Sequence, residues 1–485
     1  MRTSNTLSLV LGTVLWFGLS NAPGSMAATP TYAPLVAGNT DFALNMFDQL
    51  AAANNANIFF SPYSISACFG MVYAGARGET ARQMAEALDW STNPATVGPE
   101  FGALQAELDT QQGLDGIRLS VANGLWAQTN FPFLPAFLDS ASSNYDASVQ
   151  QVNFAADAPE ITDQINEWVA DQTEGMISKL LQPGVLNGGT KLALVDAIYF
   201  NGGWQTIFNT NLTVVQPFYV SSGQFVNATM MEQFEVARYY EDNVLQAVEL
   251  PYVNSNLTMV VLLPKTSGPA TITPAELSAA IDGLAPHWMD VKLPKFKLDL
   301  NLDLVPILKN LGMVDAFVPG VADFSGIDGG RDLTIDSAAH EAVVEVNETG
   351  TVAAGATVII IATAAMGEAT LFQADHPFVF LIRDTNSASL LFLGRVDDPT
   401  AGGATSAVLP RPKIQTSDGG FGIRNHQFGF NVASPDVTLV VEGCTNLASG
   451  VWFPIQTLTL TNGSAHFSEP LPVNSPGRFY RVHSQ

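Results

Sequence analysis

From Asp41 to roughly Leu181, apolar residues recur at three- and four-residue spacing, as in ARQMAEALDW (81–90) and ITDQINEWVADQTEGMISKLL (161–181). That period predicts helices. Beyond Leu181 the pattern changes. TKLALVDAIYF (190–200) and NLTMVVLLPK (256–265) are nearly continuous apolar runs of β-type residues, as expected of strands covered on both faces. Helices grouped before strands predict an α+β domain built round a large central sheet.

A second change falls after Thr400. AGGATSAVLPRP (401–412) reads as a linker. Beyond it, alternating runs such as VTLVVEG (437–443) and IQTLTLT (455–461), split by Gly, Asn and Pro, predict a small all-β sandwich over 413–485. The formal net charge of the chain is -25. Five basic and four acidic residues lie beyond Thr400, so the acidity belongs to the large domain. An acidic surface disfavours nucleic acid and anionic membranes as partners.

At the N-terminus Arg2 precedes an apolar run (7–19) and the small-residue stretch SMAA (25–28). This is the layout of a secretory signal over 1–27, and it predicts a secreted or periplasmic protein with no membrane insertion. The two cysteines, Cys68 and Cys444, are far apart in the chain and read as small buried hydrophobes rather than a disulfide.

Six motifs carry a family resemblance. NIFFSPYSIS (57–66), INEWVADQTEGMISKLL (165–181), LVDAIYFNGGW (194–204), VKLPKFKL (291–298), EAVVEVNETGT (341–351) and HPFVFLIRD (376–384) follow the order and spacing of the serpin family. The match runs from about residue 38 to 400. The chain resembles a serpin joined to a C-terminal β-sandwich of the kind found in some exported bacterial proteins. The resemblance implies an inhibitor that acts as a suicide substrate. An exposed reactive-centre loop is cleaved and acylates the protease, then inserts into the central sheet before water releases the enzyme. It also implies a metastable native state and a serine protease, or a cysteine protease, as partner.

The resemblance places that loop at 348–373. An insertable loop must fit between strands later, with alternate side chains facing the core. From the hinge onward the inward set is Thr351, Ala353, Gly355, Thr357, Ile359 and Ile361: small first, β-branched later. No charge or proline interrupts 351–365, and either would oppose insertion. The hinge is Glu348, Gly350, Thr351, Ala353, Ala354, Gly355 and Ala356, the small-residue pattern of inhibitory members. Counting forward from Gly350 sets the cleaved bond at Ala364-Ala365; counting back from Pro377 gives Met366-Gly367, with Thr363-Ala364 third. Alanines there suit elastase-like or subtilisin-like proteases with a shallow pocket.

The resemblance further matches Trp204, Lys295 and Glu348 to the breach, where a Lys and Glu pair holds the sheet end closed. Ser61, Ser64 and His340 match the shutter, a buried polar cluster under the parting strands. Asp196 stands where relatives commonly have Asn; beside His340, as the resemblance implies, it would form either an ionic pair that raises the histidine's pKa and loosens the shutter with pH, or an ordinary hydrogen-bonded core pair. Catalysis finds no support: no G-x-S-x-G elbow occurs, and HEAVV (340–344) lacks the second histidine of a zinc motif. No cofactor or metal is expected, and a monomer is. The competing reading is a non-inhibitory serpin used as a binding or structural module.

Overall fold

The computed structural model describes residues 30–53, 56–90, 93–266, 268–335, 337–351 and 368–401, and seven strands between 413 and 484. Residues 1–27, nearly all of the linker and residues 352–367 of the loop lie outside the described residues.

Helix α1 (Ala33–Ala53) and strand β1 (Ile58–Phe60) lead into α2 (Pro62–Tyr73). Ser61 starts α2: its Oγ accepts from Ser64 N at 3.1 Å, and Pro62 supplies the first helical φ. Helices α3 (Gly78–Ala87) and α4 (Pro94–Asp109) follow, the latter capped by Asn93. The helical reading of 41–181 is then corrected in two places. Strands β2 (Ile117–Gln128) and β3 (Ser148–Val152) flank α5 (Pro135–Tyr145). Helix α6 (Phe154–Gln172) also stops well before Leu181, because Glu174 and Gly175 take φ of 53° and 79°, outside helical space.

Strands then dominate: β4 (Leu192–Gly203), β5 (Val214–Ser221), β6 (Gln224–Glu241), β7 (Leu245–Pro251) and β8 (Leu257–Pro264). Helix α7 (Pro274–Gly283) opens on a capping box of Thr273 and Glu276. After it come β9 (Ala285–Pro294), β10 (Phe296–Asp303), α8 (Leu304–Asn310), α9 (Ser325–Asp328), β11 (Ala339–Asn347), β12 (Gly350–Thr351), β13 (Thr370–Gln373), β14 (Phe378–Asp384) and β15 (Leu390–Val396).

One sheet runs β1-β15-β14-β8-β7-β6-β9-β13, with β5 added to β6; the second runs β10-β11-β12-β4-β2-β3. Strands β8, β14 and β15 are buried almost throughout, which accounts for their unbroken apolar sequences. The chain leaves the second sheet at β12 and returns at β13 in the first, so the loop read from the sequence connects the two sheets.

Beyond the linker lie β16 (Lys413–Gln415), β17 (Gly422–Arg424), β18 (Gln427–Ala433), β19 (Thr438–Cys444), β20 (Phe453–Thr459), β21 (Ser464–Pro470) and β22 (Phe479–Ser484). They form two small antiparallel sheets. Phe430 and Phe467 of one sheet share an apolar cluster with Leu439, Val441 and Leu458 of the other.

Candidate functional site

The hinge begins as a strand. Val346 and Asn347 of β11 pair with Thr351 and Gly350 of β12, whose other side pairs with Gly202 and Gly203 of β4. Asn347 shapes the turn between β11 and β12: its Oδ1 accepts from the Thr349 amide at 3.0 Å and from the Thr349 hydroxyl at 2.8 Å. Thr351 is 1 % exposed, and its hydroxyl meets the Tyr252 hydroxyl at 2.7 Å. Close approach needs Gly202: a Cβ there would lie 2.5 Å from the Phe200 ring and 2.9 Å from Tyr252.

Below this point β4 pairs with β2 and β11 pairs with β10. Among the described residues no ladder pair joins β4 directly to β11. A cavity of about 960 Å³ lies along this line, walled by Leu194 and Asp196 of β4, Ser64 and Cys68 of α2, and His340 of β11. The cavity lies toward the ends of β4 and β11 away from β12, and residues 197–201 and 341–345 are not in its lining. Cys68 is partly buried and lines this cavity; Cys444 lies in β19.

The three residues expected at the breach come together around the turn between β11 and β12. Trp204 donates from its backbone amide to Thr349 O and from Nε1 to Asn347 O, both at 3.0 Å. Its ring stacks on Tyr252 with centroids 4.7 Å apart. Lys295 Nζ lies 2.9 Å from Glu348 Oε2, while the Thr213 hydroxyl donates to Glu348 Oε1 at 3.1 Å. Burial pushes the Glu348 carboxyl up, but the Lys295 ammonium, the residue's own backbone amide and the Thr213 hydroxyl together outweigh it and hold it below the usual range. Tyr252, Asn347 and Thr213 escaped the sequence reading. Tyr252 ends an apolar strand run, but nothing local ties it to Thr351, ninety-nine positions on.

The four residues expected at the shutter are linked by hydrogen bonds. The Ser61 amide donates to His340 Nε2 at 3.0 Å, and Ser61 Oγ donates to Leu391 O at 2.7 Å. Ser64 Oγ bonds to Asp196 Oδ1. The expected ionic pair is corrected: among the described residues no ion pair joins Asp196 to His340. Burial pushes His340 down to about 3, opposite to the expected direction, and its Nε2 must stay unprotonated to accept from Ser61. Burial likewise pushes the Asp196 carboxyl well above its ordinary range, and its Oδ2 has no hydrogen-bond partner. Both residues line the same cavity, and each is held toward its neutral form.

Of the hinge, Glu348, Gly350 and Thr351 are placed above. Ala353, Ala354, Gly355 and Ala356, with both candidate bonds, Ala364-Ala365 and Met366-Gly367, lie outside the described residues. Among the described residues, no group of three His, Cys, Asp or Glu side chains could hold a metal ion, and no helix is long and apolar enough to cross a membrane.

Fold and site together define a class of α+β protein in which one loop links two sheets and its first residues already stand as a strand. The chain belongs to the serpin (serine protease inhibitor) family, whose sequence pattern matches residues 37–399. It is 39 % identical over 379 residues to the pig (Sus scrofa) leukocyte elastase inhibitor, covering 75 % of this chain and 99 % of that protein. It is 36 % identical over 376 residues to serpin B6 of Pongo abelii, covering 75 % and 99 %. Among solved structures it resembles uncleaved ovalbumin, with a TM-score of 0.67 and 28 % identity over 75 % of this chain and 99 % of the other. It likewise resembles the mouse protein-Z dependent protease inhibitor, with a TM-score of 0.66 and 25 % identity over 76 % and 98 %.

Proposed function

We propose that this serpin inhibits serine-type endopeptidases as a suicide substrate, with elastase-like or subtilisin-like enzymes as targets and a cysteine protease as a further class. The observation that carries the reading is Thr351, buried between two strands that do not pair with each other, at the head of an uncharged segment 351–365. Continued along the same line, fourteen residues would form about one new hydrogen bond each, on the order of 14 kcal/mol in all. They would span roughly 45 Å, enough to carry an attached protease far across the sheet.

In this reading the bait bond is Ala364-Ala365, with Met366-Gly367 next. Glu348, Gly350, Thr351, Ala353, Ala354, Gly355 and Ala356 are the hinge, Trp204, Lys295 and Glu348 hold the breach, and Ser61, Ser64, Asp196 and His340 form the shutter. The relatives named as leukocyte elastase inhibitors support the target class. The protein acts as a monomer, without catalysis of its own and without nucleic acid. It is exported after removal of residues 1–27, as a bacterial type whose C-terminal strands form a separate module; the mass of the mature chain recovered outside the cell tests this.

The inhibitory reading is tested by mixing the protein with pancreatic elastase and with subtilisin. A 1:1 complex that survives SDS is the expected product. Clean loop cleavage with both enzymes and no complex would mark a non-inhibitory member instead.

A further inference from the structure

The cavity of about 960 Å³ is walled by one helix face and one strand face. Ile65, Cys68, Phe69 and Val72 recur at the three- and four-residue spacing that puts them on one side of α2, and all four line it. Leu192, Leu194 and Asp196 alternate along β4, so they share one face of that strand, and they line it too. Leu333 and Ile335, in the segment before β11, add apolar wall. Cys68, Leu192, Leu194, Leu333 and Ile335 pack on the main core yet stay only partly buried. Pockets of about 300–1,000 Å³ are the size that encloses small molecules.

Two polar side chains of this wall each hold one unanswered atom. Asp196 Oδ1 takes the Ser64 hydroxyl, whereas its buried Oδ2 has no hydrogen bond. His340 is 5 % exposed, and its Nε2 accepts from the Ser61 amide at 3.0 Å, so the ring proton sits on Nδ1. Among the described residues nothing accepts that proton, and no ion pair reaches either side chain. The charged residues of the wall are occupied elsewhere or exposed. Asp303 Oδ1 accepts from Val305 N at 3.1 Å, Lys191 Nζ lies 6.0 Å from the centre of the Phe131 ring, and Asp332 is exposed.

We propose that this cavity binds an uncharged amphiphile, a medium-length hydrocarbon that ends in one primary amide or hydroxyl group. The oxygen of the head accepts from His340 Nδ1. At Asp196 Oδ2 the same head can donate to a carboxylate or accept from an acid, so it serves either protonation state. The hydrocarbon lies against the α2 face and Leu194. A charged head would be buried beside two side chains that offer it no counter-ion, which disfavours it. A plain hydrocarbon would leave Nδ1 and Oδ2 unanswered and gain nothing from them.

Calorimetric titration of the intact protein with octanamide tests this. One octanamide per chain should bind, with octanoate and octylammonium at least about tenfold weaker. Hydrogen exchange followed by mass spectrometry locates the site without any substitution: saturating octanamide should slow exchange in peptides covering 65–72, 192–196 and 337–340, and leave 257–264 unchanged. Cys68→Trp fills the cavity and should lower the affinity about tenfold or more; should that variant not fold, Leu194→Phe takes its place. No binding of octanamide, equal binding of octanoate, or slowed exchange confined to other peptides would overturn the proposal. The site does not depend on the inhibitory reading: octanamide binding without a protease complex would sink only that reading, whereas a complex without octanamide binding would sink only this proposal.

Discussion

The hydroxyl groups of Thr351 and Tyr252 meet at 2.7 Å, and each residue is 1 % exposed. The first inward-facing residue of the loop is therefore already docked, on a side chain that also stacks against Trp204. Tyr252→Phe removes one partner and leaves the Thr351 hydroxyl buried without it, which costs about 1–3 kcal/mol. Amide exchange at Gly350 and Thr351 should quicken in this variant. Unchanged exchange would remove Tyr252 from the hinge clamp.

The Lys295 and Glu348 pair is the weaker part of that clamp. The lysine side chain is 40 % exposed, so Lys295→Met should lower stability by less than about 1 kcal/mol. Glu348→Ala also removes the acceptor for Thr213 and should cost more. Denaturant midpoints for both variants check the order, and a Lys295→Met loss matching that of Glu348→Ala would contradict it.

Gly202 tests the packing. A Cβ 2.5 Å from the Phe200 ring forces a ring or strand to move, so Gly202→Ala should destabilise the protein by about 1–3 kcal/mol. Thermal unfolding measures this, and a neutral substitution would show that the approach of β4 to β12 is loose.

At the shutter the signs oppose each other. The folded pKa of His340 is depressed, so its contribution is present above the ordinary histidine range and is lost as the pH falls toward about 3. That of Asp196 is raised, so its contribution is full at acid pH and is lost as the pH rises above the ordinary carboxyl range. Asp196→Asn has no proton to lose. It should gain stability relative to wild type between pH 4.5 and pH 8, as read by unfolding midpoints, and a pH-independent difference would contradict the assignment.

The polar residues expected at breach and shutter, which the structure brings close to one another, could be named in advance because the family motifs carry them in fixed order. What escaped depends on distant neighbours. Tyr252 gains its role only when β12 seats beside it, and Asn347 only through the turn it shapes. The charge states of Asp196 and His340 follow from burial, which no local run of residues encodes. The helical reading of 41–181 failed at β2, where Asn123 and Gly124 blur the alternation, and after Gln172, where Glu174 and Gly175 turn left-handed.

The central claim is that Thr351 is the first residue of a strand that the loop completes after cleavage. Thermal unfolding of the intact protein and of the protein cut within 362–367 measures this directly. Completion at on the order of 14 kcal/mol, against an unfolding entropy of about 2.1 cal/mol/K per residue, should raise the midpoint by about 15–20 °C. Thr351→Arg should abolish the rise. A cleaved wild type that melts no higher than the intact protein would contradict the account.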